Sequence, residues 1–190
     1  MERNILFEGL KKYTVEHSLR THDLSIFLAR ALKLDKKMVQ KIGIAAMYHD
    51  IGKANVPKSI REKQGALTDE EYDLMKQHVA YGHYMSAEIF NDELKDIIKY
   101  HHENEDGSGY YGLKGDEIPL GAKIIHICDV YDALTSSRPY HKKIPKKEAL
   151  TFIVNNMDIM FDKEIATVFV EKLKKNKASR DAIKNGGRGS

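Results

Sequence analysis

Apolar residues along this chain recur every three to four positions, the spacing of one face of a helix. Between Ile5 and Leu34 they fall at Leu6, Leu10, Tyr13, Leu24, Phe27, Leu28 and Ala31, which predicts a long amphipathic helical region. Lys36 to His49 continues as an apolar helix, and Gly52 just beyond it reads as a stop signal. Pro57 is placed to open a short helix. Thr68-Asp69-Glu70-Glu71 has the form of a capping box, Thr68 capping and Glu71 reaching back. Helices are expected over Glu70 to Phe90 and Asp92 to His101. A glycine-rich loop, EDGSGYYGLKG from Glu105 to Gly115, then interrupts the pattern. Helical spacing resumes over Ile118 to Leu134, with Pro119 near its start, and over Pro145 to Asn156 and Asp162 to Lys174. No segment sustains period-two alternation, so the expected fold is all-α.

Composition narrows the class. A 190-residue chain that is 42% hydrophobic and 31% charged fits one soluble globular domain. Its apolar runs are broken well short of the ~18 residues a membrane helix needs, so no membrane contact is expected. The N-terminus, MERNILFEGLKK, is acidic as well as basic and lacks a small-residue cleavage site, unlike a signal peptide. A single cysteine, Cys128, rules out an intrachain disulfide and points to a reducing, cytoplasmic compartment. The net charge of +3 comes from the end of the chain, where Glu171 to Ser190 holds seven basic residues against two acidic ones. The rest is slightly acidic, so no nucleic-acid polymer is expected as a partner. Residues 1–175 are read as one catalytic domain and 176–190 as a basic, flexible tail.

The chemistry lies in scattered imidazoles and carboxylates: His17, the pair His49-Asp50, His78, the pair His101-His102, and Asp129. This is a ligand set for first-row transition metals, and it exceeds what one ion needs. Two metals sharing a carboxylate are the natural reading, an arrangement suited to phosphoester hydrolysis. His49-Asp50 ends a helix, where neighbouring side chains can converge. Adjacent buried imidazoles at His101-His102 would repel if protonated, a cost that a metal removes. Asp129 interrupts the apolar run IIHICDV and needs a partner to be buried. Asp132 is on nearly the same face, as an alternative ligand or a support for one. His126 is read as a core histidine, Cys128 as a small buried hydrophobe, and His22 and His83 as unremarkable surface residues. Lys53, Arg138 and Lys142 are the basic residues placed to meet phosphate, and the backbone around Gly109 is a candidate for close ligand approach.

In order, His17, His49-Asp50-Ile51-Gly52-Lys53, His78, His101-His102-Glu103, DGSGYYG and CDVYDALTSSRPY closely resemble the HD-GYP family of HD-domain phosphohydrolases. The resemblance covers His17 to Tyr140. It implies a helical bundle with the metal site in a central cleft and hydrolysis of cyclic di-GMP to linear pGpG and GMP. It further implies that His17, His49, Asp50 and Asp129 hold one metal, and that Asp50 bridges to a second held by His78, His101 and His102. Asp50 and Lys53 would be catalytic; Lys53, Gly109, Tyr110, Arg138 and Lys142 would bind substrate. Iron or manganese is favoured, with zinc also admissible. Two departures stand out: Tyr111 replaces the signature proline, and Tyr13 stands where some members carry a third-metal glutamate. The first leaves open another cyclic dinucleotide, a nucleotide, or a silent receptor. A signalling protein docking on the Gly109-Tyr110-Tyr111 loop is a further expectation.

Overall fold

The computed structural model describes residues 7–87, 89–137 and 142–186, with side chains described through Lys175. Helix α1 is Lys12–Ala31, α2 Lys36–Tyr48, α3 Lys58–Arg61, α4 Asp69–Lys76, α5 His78–Met85, α6 Asp92–Lys99, α7 Leu120–Thr135, α8 Lys146–Asn155 and α9 Lys163–Gly186. Short 3₁₀ turns cover Ile51–Asn55 and Gly115–Glu117. Among the described residues the only extended pairing is one isolated bridge between Met157 and Phe161. The all-α expectation holds. No helix among the described residues is long and apolar enough to cross a membrane.

Helix α7 is the axis. Every residue from Ile124 to Asp129 is buried, so this helix is enclosed on all sides, as a helix hydrophobic around its whole circumference must be. Helix α1 packs along α2 and α7, α6 packs on α2, α5 and α7, and α8 and α9 close the remaining sides. Leu28, Ile42, Ile98, Ile124, Ile125, Ile153 and Phe169 are each fully buried in the common core. Burial of each such side chain is worth about 1.5–3 kcal/mol.

Several boundaries differ from the periodicity. Phe7 to Leu10 is a turn with Gly9 at φ +81°, so the helix expected from Ile5 begins at Lys12. The run expected as one helix to Phe90 is two, α4 and α5, divided at Gln77, and it stops at Met85. There Ser86 Oγ donates to the His83 carbonyl at 2.9 Å, a side-chain bond that competes with helix continuation. Helix α9 runs past the expected limit of Lys174. The capping box forms as read, with Glu71 N–H donating to Thr68 Oγ1 (3.3 Å) and Thr68 N–H to Glu71 Oε2 (2.8 Å).

Gly52 has a different purpose from the stop signal read in the sequence. It lies in the 3₁₀ turn, and a Cβ there would be 1.9 Å from the His78 carbonyl oxygen and 2.4 Å from Gly82 N. Only glycine lets the turn after His49-Asp50 sit directly on α5, which brings His78 to Asp50.

Candidate metal centre

Helices α2 and α6 each carry a buried apolar stripe one step further into a histidine. On α6 the stripe Leu94, Ile97, Ile98 leads at the next turn to His101, fully buried just past the helix end. On α2, Ile42, Ala45 and Ala46 lead to His49, also fully buried. On α1, Thr14, His17, Ser18, Thr21 and Ser25 form a stripe of small buried residues around one imidazole, facing α7. The apolar periodicity that folds the bundle therefore delivers His49 and His101 to one interior point, and a stripe of small polar residues on α1 brings His17 there.

There the rings converge. Ring centroids are 5.3 Å apart for His17 and His49, 5.0 Å for His49 and His101, 5.2 Å for His78 and His102, and 4.1 Å for His101 and His102. Asp50 lies between them. Its Oδ2 is 3.5 Å from His49 Nε2 and 3.9 Å from His17 Nε2, while its Oδ1 is 3.5 Å from His78 Nε2. Asp129 Oδ1 is 2.8 Å from His17 Nε2 and 4.0 Å from His49 Nε2. Ligand-type atoms fall within 4.8 Å of one another in three overlapping groups: His17-His49-Asp50, His49-His101-Asp129 and His78-His101-His102.

Hydrogen bonding fixes which nitrogen faces inward. Nδ1 of His49, His78 and His101 meets the carbonyl three residues earlier, at Ala46 (2.7 Å), Met75 (2.8 Å) and Ile98 (2.7 Å). A carbonyl can only accept, so each Nδ1 carries the proton and each Nε2 is left as a lone-pair donor to a metal. These carbonyls lie in the last turns of α2, α4 and α6, where helix amides run out. His17 Nδ1 is held instead by Asp132 Oδ2 at 2.6 Å. Arg20 grips Asp132 with two bonds of 2.7 and 3.0 Å, and Ser136 Oγ donates to it at 2.9 Å. Asp132 thus supports His17, which decides between the two roles open to it.

Four of the inward atoms, Nε2 of His49, His78 and His101 and Oδ1 of Asp50, are buried without a hydrogen-bond partner, while His17 Nε2 has only the Asp129 carboxylate at 2.8 Å. Buried polar atoms are nearly always satisfied, so four together at one point require an explanation. An imidazole–carboxylate set with its lone pairs turned inward fits a divalent transition metal. Without one, the charges settle among the side chains. Burial opposes ionisation of Asp50 and Asp129, yet Lys53 and the imidazoles around Asp50, and His17 beside Asp129, hold both carboxyls well below the usual range. Burial drives His49, His101 and His102 down, and His78 down to about 4.

The other expected residues sort clearly. Lys53 Nζ is 2.7 Å from Asp50 Oδ2, with its side chain 24% exposed, at the border between cluster and solvent. The Tyr110 ring lies 4.8 Å from that of His102 and 6.4 Å from that of His78. Gly109 approaches the chain's own backbone: a Cβ there would be 2.5 Å from Glu103 Cα. Lys142 is exposed, and Arg138 lies outside the described residues. His126 is buried with Nε2 3.1 Å from Asn104 Oδ1, Cys128 is buried, and His22 meets only its neighbour Asp23. Two supports went unread in the sequence. Arg20 was one, signalled by a basic residue one turn after His17. The other was Glu103, whose carboxylate accepts from Tyr111 N–H (2.7 Å) and Leu113 N–H (2.8 Å) and ties the glycine loop beside His102.

A model of the HD domain matches residues 2–165. The chain is 39% identical over 163 residues to a cyclic di-GMP phosphodiesterase of Pseudomonas aeruginosa, covering 84% of this chain and 39% of that one. It is 33% identical over 148 residues to a 3'3'-cGAMP-specific phosphodiesterase of Vibrio cholerae, covering 77% of this chain and 34% of that one. It therefore spans less than half the length of these two relatives. Among solved structures it resembles in fold an HDGYP protein of Bdellovibrio bacteriovorus, with TM-score 0.69 at 23% identity over 84% of this chain and 52% of the other.

Proposed function

The chain belongs to the HD-domain family, and from that premise we propose that it is a dinuclear metal-dependent phosphodiesterase that hydrolyses cyclic di-GMP to pGpG and onward to GMP. The observation that carries this reading is the group of four partnerless buried ligand atoms, Asp50 Oδ1 and the Nε2 of His49, His78 and His101. His17, His49, Asp50 and Asp129 would hold one divalent ion; His78, His101 and His102, with Asp50 shared, would hold the other. Iron or manganese suits this donor set, with zinc as the further candidate. When bound, such ions supply Lewis-acid charge and a nucleophile at neutral pH.

The chain's own residues do the rest. Asp50 offers one oxygen to each side of the cluster and stays ionised. Lys53, at the rim, brings a positive charge to the phosphoryl oxygens as negative charge grows on them. Asp132 and Arg20 keep His17 in its orientation. Tyr110 flanks the entrance beside His102, and Arg138 and Lys142 would meet the second phosphate of a cyclic dinucleotide. The exposed Tyr111 offers a surface for a signalling partner, and the single buried cysteine fits a cytoplasmic setting.

Incubation of manganese- or iron-loaded protein with cyclic di-GMP under reducing conditions should yield pGpG and then GMP; absence of turnover with either metal removes the reading. Lys53→Ala should retain its metal while kcat falls on the order of 100-fold. The cGAMP-specific relative favours a second reading, a different cyclic dinucleotide as substrate. A preference above ~100-fold in kcat/KM for 3'3'-cGAMP, about 2.7 kcal/mol, would decide for it.

A further inference from the structure

On the reading that this centre cleaves a cyclic dinucleotide, we propose that Tyr72 is a base-positioning residue. With Tyr110 it forms an aromatic platform at the mouth of the metal centre, on which a purine base of the substrate stacks.

The platform is built outward from the ligands. Tyr110 lies against His102 with ring centroids 4.8 Å apart and planes at 36°, and Tyr72 closes edge-to-face on Tyr110 at 6.4 Å and 89°. Tyr72 is thus two ring-to-ring steps from the His102 imidazole of the cluster. The inner ring is held firmly. Glu103 accepts from Tyr111 N–H and Leu113 N–H on one side, and Gly109 is seated on the Glu103–Asn104 backbone on the other. Tyr111, the next residue, turns away and packs on Tyr100 at 5.5 Å, with Lys99 5.0 Å above each ring. Of the two loop tyrosines, only Tyr110 touches the ligands.

Tyr72 lies outside the buried core, and its side chain meets Tyr110 and Lys76. Helix α4 has no buried residue, and Tyr72 remains 47% exposed. The capping box and the Lys63–Glu71 ion pair that hold the start of the helix are made by side chains other than Tyr72. Tyrosine is also a weaker helix former than the Lys, Glu or Leu beside it. Lys76 stands 5.3 Å over the ring and is tied to Asp73 at 2.6 Å, which adds a cation to a surface that an anionic nucleotide would meet. An exposed aromatic ring beside a phosphate-handling centre is the arrangement that stacks a nucleobase, whatever its hydrogen-bonding edge.

The test separates base recognition from architecture. In manganese-loaded protein, Tyr72→Ala should raise KM for cyclic di-GMP about tenfold, within the span that base–aromatic stacking supplies, and leave kcat within about twofold. Tyr72→Phe keeps the ring and should keep the wild-type KM. Calorimetric titration with GMP and with ribose 5-phosphate, which has the phosphate but no base, gives a readout independent of turnover. Wild type should prefer GMP, and Tyr72→Ala should erase that preference while ribose 5-phosphate binding and metal content stay the same. An unchanged KM and GMP preference in Tyr72→Ala overturns the proposal, as does equal weakening of both ligands or loss of metal. If wild-type protein cleaves no cyclic dinucleotide, the phosphodiesterase reading falls, and the GMP and ribose 5-phosphate pair still decides the role of Tyr72.

Discussion

The two ends of the buried cluster hold their imidazoles by opposite means. At the α1–α7 end, His17 is gripped by carboxylates from another helix, Asp132 on Nδ1 and Asp129 beside Nε2. At the α5–α6 end, His78 and His101 are gripped by backbone carbonyls within their own local sequence, Met75 and Ile98. The electrostatics follow. Burial disfavours charge at both ends, but the two carboxylates outweigh it at His17, whose pKa rises to about 9. Burial prevails at His78, which falls to about 4, and at His101 and His102, which also fall. One end is assembled by tertiary contact and compensated in charge; the other is preset by helix ends and neutral. Asp50 turns one oxygen toward His17 and the other toward His78.

The largest effect should come from removing that shared residue. Asp50→Ala deletes a donor to both ends and the negative charge between them. Bound metal should fall well below two per chain, and turnover should drop by more than about 1,000-fold. His22→Ala, which loses only a contact with Asp23, should leave metal content and rate unchanged. Metal analysis beside turnover checks both, and a full metal complement in the Asp50 variant would undo the bridging assignment.

Gly52→Ala should break one end and spare the other. The added Cβ meets the His78 carbonyl oxygen at 1.9 Å, and backbone cannot yield as a flexible side chain would. Overpacking of this kind costs about 1–3 kcal/mol. Thermal unfolding should show the loss, and metal content should fall by the ion that His78, His101 and His102 would hold on the proposed reading. Equal loss at both ends would mean that the turn supports the whole cluster.

These two residues also show where the sequence is legible. His49, His101 and Asp129 are readable because each is a polar residue in or just beyond an apolar run, and burying it there demands a partner; His17 and His78 stand out only as members of the whole set and through the family resemblance. His49, His78 and His101 carry even their orientation locally, since a histidine reaches its own i−3 carbonyl without help from the fold. Asp132 reads equally as ligand or support from the sequence, because the choice depends on how α1 lies against α7, a contact between residues more than a hundred positions apart. Gly52 was misread as a helix stop because a missing Cβ reports a close approach only when the opposing chain, here α5, is known. The break at Gln77 was hidden for a related reason: the apolar spacing runs on through it, and Gln77 itself keeps a helical backbone angle.

A smaller effect should separate the ends by affinity. Asp132→Asn keeps the shape beside His17 and removes the charge that holds its ring. Loss of such a support costs roughly 10–100-fold in metal affinity. Manganese titration should therefore become biphasic, with the weakened phase assigned to His17 by further weakening in the His17→Ala variant and the other phase at its wild-type position. A uniform shift of both phases would mean that the two ends are not separable.

The smallest effect is a pH profile, and it should show both ends at once in metal-free protein. His17 binds its proton more tightly folded than unfolded, because its pKa rises from 6.5 to about 9. Its contribution to stability is complete below about pH 6.5 and is lost as pH rises through about 9. His78 and the buried His126 behave in reverse, since burial lowers each from 6.5 to about 4. Their contribution is complete above about pH 6.5 and is lost as pH falls through about 4. Asp132, held down at about 2 by His17 and Arg20 against the effect of burial, adds to the acid side, since its contribution disappears only as pH approaches that value. The melting temperature of chelator-treated protein should therefore peak near pH 6.5 and decline on both sides, by several degrees at each extreme. His17→Ala should flatten the alkaline limb and leave the acid limb in place, while His126→Ala should soften the acid limb alone. A melting temperature that stays level from pH 6.5 to 9 in the wild type would show that the carboxylates do not hold a proton on His17, and the contrast between the two ends would lose its electrostatic basis.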